Sequence, residues 1–257
     1  MKKLFKVGAV VLVIGLIALG IGFFNHGNNQ VVFNSTGPHI MKRQATRTIK
    51  VSHEFHNLNI DLSTANLNVV QGKKFQIVYH GINAPQVTVK NGTATIHQPG
   101  SGNNSFTWSW SSNVNAGDDT VTIVVPQGTT LAGKIRMSEG DLFATNISLQ
   151  NVSTTVEEGD ARFNNVLADG GQLNLDEGDF TAHHLTVQNH FKVVNDEGDN
   201  TVVGVTADGY YLRTDEGDNT LFHHEQDDDD DSAVLKQNNH AANVLTLISS
   251  EGDNSVH

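Results

Sequence analysis

The chain contains no cysteine. That excludes a disulfide framework, a thiolate metal site, a cysteine nucleophile and a lipid-modified cysteine. Positive charge is also short: 16 Lys and Arg stand against 28 Asp and Glu, a net of −12, which argues against non-specific nucleic-acid binding. No Gly-x-Ser-x-Gly nucleophile motif occurs. Aromatic residues make up only 7%, while Asn, Thr, Val and the 24 Gly are frequent, a mix that favours β structure with many turns over helix. The 257 residues suffice for one or two domains with a real core.

Residues 1–24 differ from the rest. Lys2, Lys3 and Lys6 form a basic head, and residues 7–24 then run without a charged or strongly polar side chain. A helix of that length matches the hydrocarbon thickness of a bilayer. The reading is a single-pass signal anchor with its lysines cytoplasmic and the C-terminal part extracellular. A cleavable signal peptide, with Ala18-Leu19-Gly20 as its cleavage site, is the alternative. Residues 25–48 read as a flexible tether. Residues 25–138 carry nine Lys and Arg against four acids, a net of +5, whereas residues 139–257 carry four bases against 24 acids, a net of −20.

The dominant signal is a repeat. Glu-Gly-Asp occurs at 139–141, 158–160, 177–179, 197–199, 216–218 and 251–253, at intervals of 19, 19, 20, 19 and 35 residues. The last interval holds a 16-residue insertion around Asp227–Asp231. Relative to each Gly, apolar residues alternate with polar ones at −7 and −5 (Phe191 and Val193, for example) and recur at +4 and +7 (Ala182 and Leu185). The apolar parity shifts across Glu-Gly-Asp and again between +4 and +7, and each shift marks a corner. Short strands, regular corners and a 19-residue period predict an all-β fold. It is a β-helix-like β-solenoid with one coil per repeat, preceded by an N-terminal transmembrane helix. Gly suits the corner because it tolerates positive φ, and Asp can accept hydrogen bonds from nearby backbone N–H groups. After the Asp come Leu142, Ala161 and Phe180 in three copies but Asn200, Asn219 and Asn254 in the others, a potential amide ladder.

Four segments follow: the anchor at 1–24, the tether at 25–48, an irregular β section at 49–130 that opens and caps the solenoid, and the repeats at 131–257 with an acidic insertion at 222–244. Asn91-Gly92 predicts a hairpin. Residues 99–118 read as a loop that holds Trp108 and Trp110 at a strand edge, with sugar stacking as the alternative role.

Stacked in sequence order, Glu139, Glu158, Glu177, Glu197 and Glu216 would form one acidic row and Asp141, Asp160, Asp179, Asp199 and Asp218 a second. Asp176, Asp196 and Asp215 would add a third. The plain reading is a set of solvated corners. The sharper one is weak calcium binding by Glu177, Asp179, Glu197, Asp199, Glu216 and Asp218, since calcium takes hard oxygen ligands. Asp227–Asp231 reads as a solvated loop. His183-His184 and His223-His224 read as surface histidines rather than zinc ligands.

The order of an N-terminal anchor, "LNIDLSTANLNVVQGKKFQIVYHG", "VTVKNGTATIHQ", "DDTVTIVVPQGTTL" and regular Gly-Asp corners resembles the adhesin-like domain-of-unknown-function family of β-strand-repeat proteins from Gram-positive bacteria. The resemblance covers residues 50–257 and implies an exported, envelope-associated, non-enzymatic role with no catalytic residues. Relatives often carry Ser before the Gly-Asp, where this chain has Glu in all six copies. The expected partners are the membrane through residues 7–24 and a cell-wall polymer or surface-protein ligand. Cation-dependent self-association through an open last coil is an alternative, as is a β-helix polysaccharide-active enzyme. Against the enzyme, acids that repeat evenly mark structure, whereas a catalytic pair would break the repeat at one coil.

Overall fold

A computed structural model of the protein describes residues 31–34, 37–40, 45–49, 51, 53–81, 83–100, 106–108, 119–226 and 233–257, and Leu12 alone near the N-terminus. The apolar run at 7–24 (Leu12 apart), Trp110 and Asp227–Asp231 lie outside the described residues. Every element among those residues is a β-strand. Among them no helix is long and apolar enough to cross a membrane.

The chain divides into two compact units. One comprises Met1–Arg43 and Gly102–Gly117. Its described part is a three-stranded antiparallel sheet with Val31–Asn34 between Gly37–Ile40 and Phe106–Trp108. This corrects two expectations: the tether contains paired strands, and Trp108 lies on a strand within the predicted loop.

The second unit, Gln44–Ser101 with Asp118–His257, is the repeat structure. Its coils stack in parallel. The run before each corner forms one sheet face, through Asn57–Leu62, the later part of Thr130–Glu139, Ser153–Glu158, Gln172–Glu177 and His190–Glu197. The run after each corner forms a second, through Ala65–Gly72, Leu142–Gln150, Ala161–Asp169, Phe180–Gln188 and Asn200–Val203. The predicted parity shift between +4 and +7 is a bend at +6, where Asn146, Asn165, His184 and Gly204 have φ between 53° and 70°. In Phe180–Gln188 the bend lets Phe180, Ala182, Leu185 and Val187 all face the core. Asn91 and Gly92, at φ 50° and 72°, form the expected hairpin turn between Gln86–Lys90 and Thr93–His97.

Two features overturn the sequential picture. First, a degenerate coil precedes the six repeats. Leu62 pairs in register with Met137 and Leu67 with Leu142, so Ala65-Asn66 stands where later coils have Gly-Asp. Second, space order departs from chain order at the far end. Val244–Glu251 lies between His190–Glu197 and Gly209–Glu216, parallel to both, and Asn254–Val256 lies likewise between Asn200–Val203 and Asn219–Leu221. The last copy in sequence is therefore the last but one in space. The far end is closed by the insertion: Ala233–Gln237 runs antiparallel on Gly209–Glu216, and His224–Gln226 antiparallel on Asn219–Leu221. The coil that was expected to be open is sandwiched on both sides, which removes the basis for self-association through it.

The corner glycines hold the stack at strand spacing. A Cβ on Gly159, Gly178, Gly198 or Gly252 would sit 2.3 Å from the carbonyl oxygen of the glycine in the preceding coil. These residues also have φ between 129° and 137°. Both the backbone angle and the contact exclude a side chain. Ala65 is tolerated because no glycine corner precedes it in the column. Gly178→Ala is expected to lower stability by about 3 kcal/mol or more, from combined strain and overpacking, as read by chemical denaturation. A loss below about 1 kcal/mol would show that the coils separate freely at this point.

Candidate functional site

The acidic edge is built by a defect that every corner shares. On either side of it, backbone groups pair between coils: Gly178 N–H donates to Glu197 O at 3.0 Å, and Phe180 N–H to Asp199 O at 2.9 Å. The Asp N–H between them has no carbonyl opposite. Its acceptor is the Asp side chain of the preceding coil. Asp160, Asp179, Asp199, Asp253 and Asp218 N–H donate in turn to Oδ1 of Asp141, Asp160, Asp179, Asp199 and Asp253, at 2.8 to 3.0 Å. Asn66 Oδ1 heads the ladder and accepts from Asp141 N–H at 2.7 Å. Each of these side-chain oxygens thus satisfies a donor that the turn would leave unpaired.

The structure brings Glu177 next to Glu197, and Asp179 next to Asp199. It does not bring Glu197 next to Glu216, because Glu251 lies between them. Asp253 likewise separates Asp199 from Asp218. The third row is interrupted too, with Ser250 Oγ donating to Asp196 Oδ1 at 3.2 Å. All six Glu of the repeat are exposed. Arg162 offsets part of the charge: its guanidinium donates to Asp141 Oδ2 at 3.2 Å and to Asp160 Oδ2, and it lies 5.5 Å from the Phe143 ring centroid. Among the described residues no group of three or more His, Asp or Glu is arranged to hold a metal ion. His183, His184, His223 and His224 are exposed.

The predicted amide ladder is present and fully buried. Asn200 Nδ2 donates to Asn254 Oδ1 and Asn254 Nδ2 to Asn219 Oδ1, both at 2.9 Å, and Asn219 Nδ2 reaches Ala233 O in the closing strand. Three residues before each of these glycines stand Asn195, Ser249 and Thr214, which donate to the glycine carbonyl of the preceding coil. The nearer coils have Met137, Val156 and Leu175 there, so the core changes from apolar to polar along the stack.

Two features escaped the sequence reading. Gln98, Asn83 and Asp119 form a hydrogen-bonded knot around the buried Tyr79: Gln98 Nε2 reaches Asn83 O at 3.1 Å, and Asn83 N–H reaches Asp119 Oδ2 at 3.0 Å. Burial, reinforced by the Asp119 carboxylate, pushes the Tyr79 phenol upward, so it stays neutral. The second is an open groove of about 330 Å³ beside the +6 bends, between Gln71, the turn after Pro126, and Asn146 and Asn165.

Residues 130–257 match the family described as Toastrack DUF4097. Over those residues the chain is similar to that family. The degenerate coil at Asn57–Gly72 stacks onto the Toastrack repeats from outside the matched region. A solved structure described as a "putative cell adhesion protein", from Clostridium sporogenes ATCC 15579, is 13% identical and has a TM-score of 0.50. That match covers 83% of this chain and 99% of that one, and the likeness is one of fold. A "putative adhesin" from Bacteroides fragilis NCTC 9343 is also 13% identical, over 84% and 98% of the two chains, at a TM-score of 0.36. A "putative lipid binding protein" from Parabacteroides distasonis ATCC 8503 is 12% identical, over 84% and 97%, at 0.24. No curated protein matches the chain.

The ladder needs an oxygen, not a charge, as Asn66 shows. Asp179→Asn is expected to keep or slightly raise stability, since it retains Oδ1 and removes like-charge repulsion of roughly 1 kcal/mol per pair. Asp179→Ala is expected to lose about 1–2 kcal/mol by orphaning the Asp199 N–H. Equal losses in both would show that the carboxylate charge itself is required. A parallel thermal-unfolding series tests the calcium reading. With Oδ1 of Asp179 and Asp199 already engaged, calcium and magnesium at 1–10 mM are expected to raise the midpoint equally, by screening. A calcium-only rise lost in a Glu177→Gln/Glu197→Gln variant would establish a cation site instead.

Proposed function

We propose that the protein is a non-enzymatic surface-binding module, tethered to the cell membrane by residues 7–24 and displayed outside the cell. The observation that carries this reading is the use of the repeat's acids. At all six Glu-Gly-Asp corners the Asp takes part in an inter-coil hydrogen-bond ladder, so the feature that most resembles a row of reactive groups is the frame of a rigid stack. A rigid stack of coils offers long, regular faces, which suit binding of extended partners. The Toastrack match and the adhesin descriptions of fold neighbours agree with it at a coarse level. The basic head before an apolar run supports the tether and its orientation.

The test is made on intact cells that express the full chain with an epitope between residues 226 and 233. The protein is expected in the carbonate-resistant membrane fraction, with the epitope removed by added protease before lysis. Protection until lysis, or release from the membrane by carbonate, would overturn the reading.

A further inference from the structure

The groove beside the +6 bends has a structural cause. After Gly72 the chain leaves the stack, so the degenerate coil supplies no run beyond its second face. Thr130 and Leu131, arriving from the Pro126–Thr129 turn, cover the next coil only at Ser148 and Leu149. The span beside Asn146 and Ile147 stays open, and a cleft of about 330 Å³ results, large enough for a small ligand.

Its lining is unusual for this molecule. The repeats carry a net charge of −20, yet no Asp, Glu, Lys, Arg or His lines the groove. Its rim consists of amides and hydroxyls: Gln71, Gln127, Asn146, Asn165, Ser148 and Thr186. Pro126 and Leu167 add a small, half-buried apolar share, while Val125, Ile147 and Val166 are buried behind the lining. Asn165 Nδ2 donates to Asn146 Oδ1 at 2.7 Å, which orients both amides. The Gln71, Gln127, Ser148 and Thr186 side chains make no hydrogen bond to any described residue, so their donors and acceptors are open to a ligand. The backbone beneath is stacked parallel strand, which fixes these groups before any ligand arrives.

We propose that this groove binds a neutral oligosaccharide of hexose or N-acetylhexosamine units. A pyranose presents a rim of hydroxyls that both donate and accept, with small C–H faces between them, which matches a lining of uncharged amides and hydroxyls with Pro126 and Leu167 among them. An anionic polymer would meet no cation here and would approach against the acidic repeats. A peptide terminus or charged side chain would likewise find no counter-charge. The proposal deepens the surface-binding reading and names a ligand class for it.

Saturation-transfer NMR on the full chain, with titration, tests it using cellotriose, maltotriose and triacetylchitotriose, and trigalacturonate as the anionic comparator. At least one neutral trisaccharide is expected to receive saturation at its ring C–H protons. Ser148→Tyr, which fills the groove from a half-exposed strand position, is expected to abolish the signal. Asn165→Asp, which keeps the bend but removes one donor and adds a charge, is expected to weaken binding about tenfold. Gln127→Ala, on the exposed turn, serves as a second variant should Ser148→Tyr fail to fold, with an expected loss of several-fold. The proposal is overturned if no neutral trisaccharide at about 10 mM gives a signal that these variants reduce, or if trigalacturonate binds as tightly. Intact-cell protease accessibility is read independently. Failure of the sugar arm with surface exposure intact removes the groove assignment alone, and the reverse removes the surface reading while leaving a sugar site.

Discussion

Everything in the repeat depends on how closely the chain passes over itself at Glu-Gly-Asp. Strands stacked about 4.8 Å apart leave no room for a Cβ on the glycine. The same turn points one N–H at no carbonyl. Glycine answers the first constraint and the Asp Oδ1 of the preceding coil answers the second. The two residues are thus one device: the glycine permits the close approach, and the approach brings each Asp within hydrogen-bond reach of the next coil. The charge is a by-product of the oxygen. Asn66 performs the same task without it, and Arg162 bridges two of the carboxylates where it is present.

The far end shows how the stack avoids an exposed edge. A coil that ended the column would present unpaired strand groups to any similar edge. Here the chain passes over one position, forms the outermost coil at Gly209–Leu221, lays two antiparallel strands across it, and returns to fill the gap with Val244–Val256. The returning segment joins the outermost coil to the rest, since Gly209–Glu216 pairs with Val244–Glu251 and Ala233–Gln237 and not with His190–Glu197. The buried amide ladder runs through this same region. Asn254, in the inserted coil, both accepts from Asn200 and donates to Asn219. Stacked amides specify register more sharply than interchangeable apolar side chains, because a shifted rung would leave buried amide groups unpaired. A coil placed out of chain order has most need of that specification.

The corners, the strand parity and the amide ladder were readable because each recurs at a fixed offset from one tripeptide. The order of the last two coils was not. The interval of 35 residues is compatible with either order, and the choice is made by antiparallel pairing of Ala233–Gln237, a stretch without a repeat signature. The degenerate first coil was missed because Ala65-Asn66 breaks the Glu-Gly-Asp pattern while keeping its chemistry: a small residue, then a side-chain carbonyl oxygen. Leu62-Ser63-Thr64-Ala65-Asn66-Leu67 set against Met137-Ser138-Glu139-Gly140-Asp141-Leu142 carries the signal, once identity is replaced by role. The groove had no sequence signature at all. Its residues come from the end of the first coil, a turn near 127, and the +6 bends of two later coils, and only the missing run after Gly72 brings them to one concave place.

That contrast bears on where function resides in such a fold. In a regular stack every coil repeats the same surface, so the repeated surface is set by what stacking requires. The acidic edge is of that kind: its spacing is uniform, its Asp Oδ1 atoms up to Asp253 are engaged, and its glutamates are placed by the backbone that the glycines impose. A discriminating site needs groups that converge, and convergence needs a break in the repeat. This unit has one break where the first coil joins the stack and another where the last two coils exchange order. At the far break the polar groups turn inward and bond to each other along the buried ladder. At the near break they face solvent around an uncharged groove, with side-chain hydrogen bonds still unmade. Of the two, only the near break has the open, unpaired polar groups from which recognition is built.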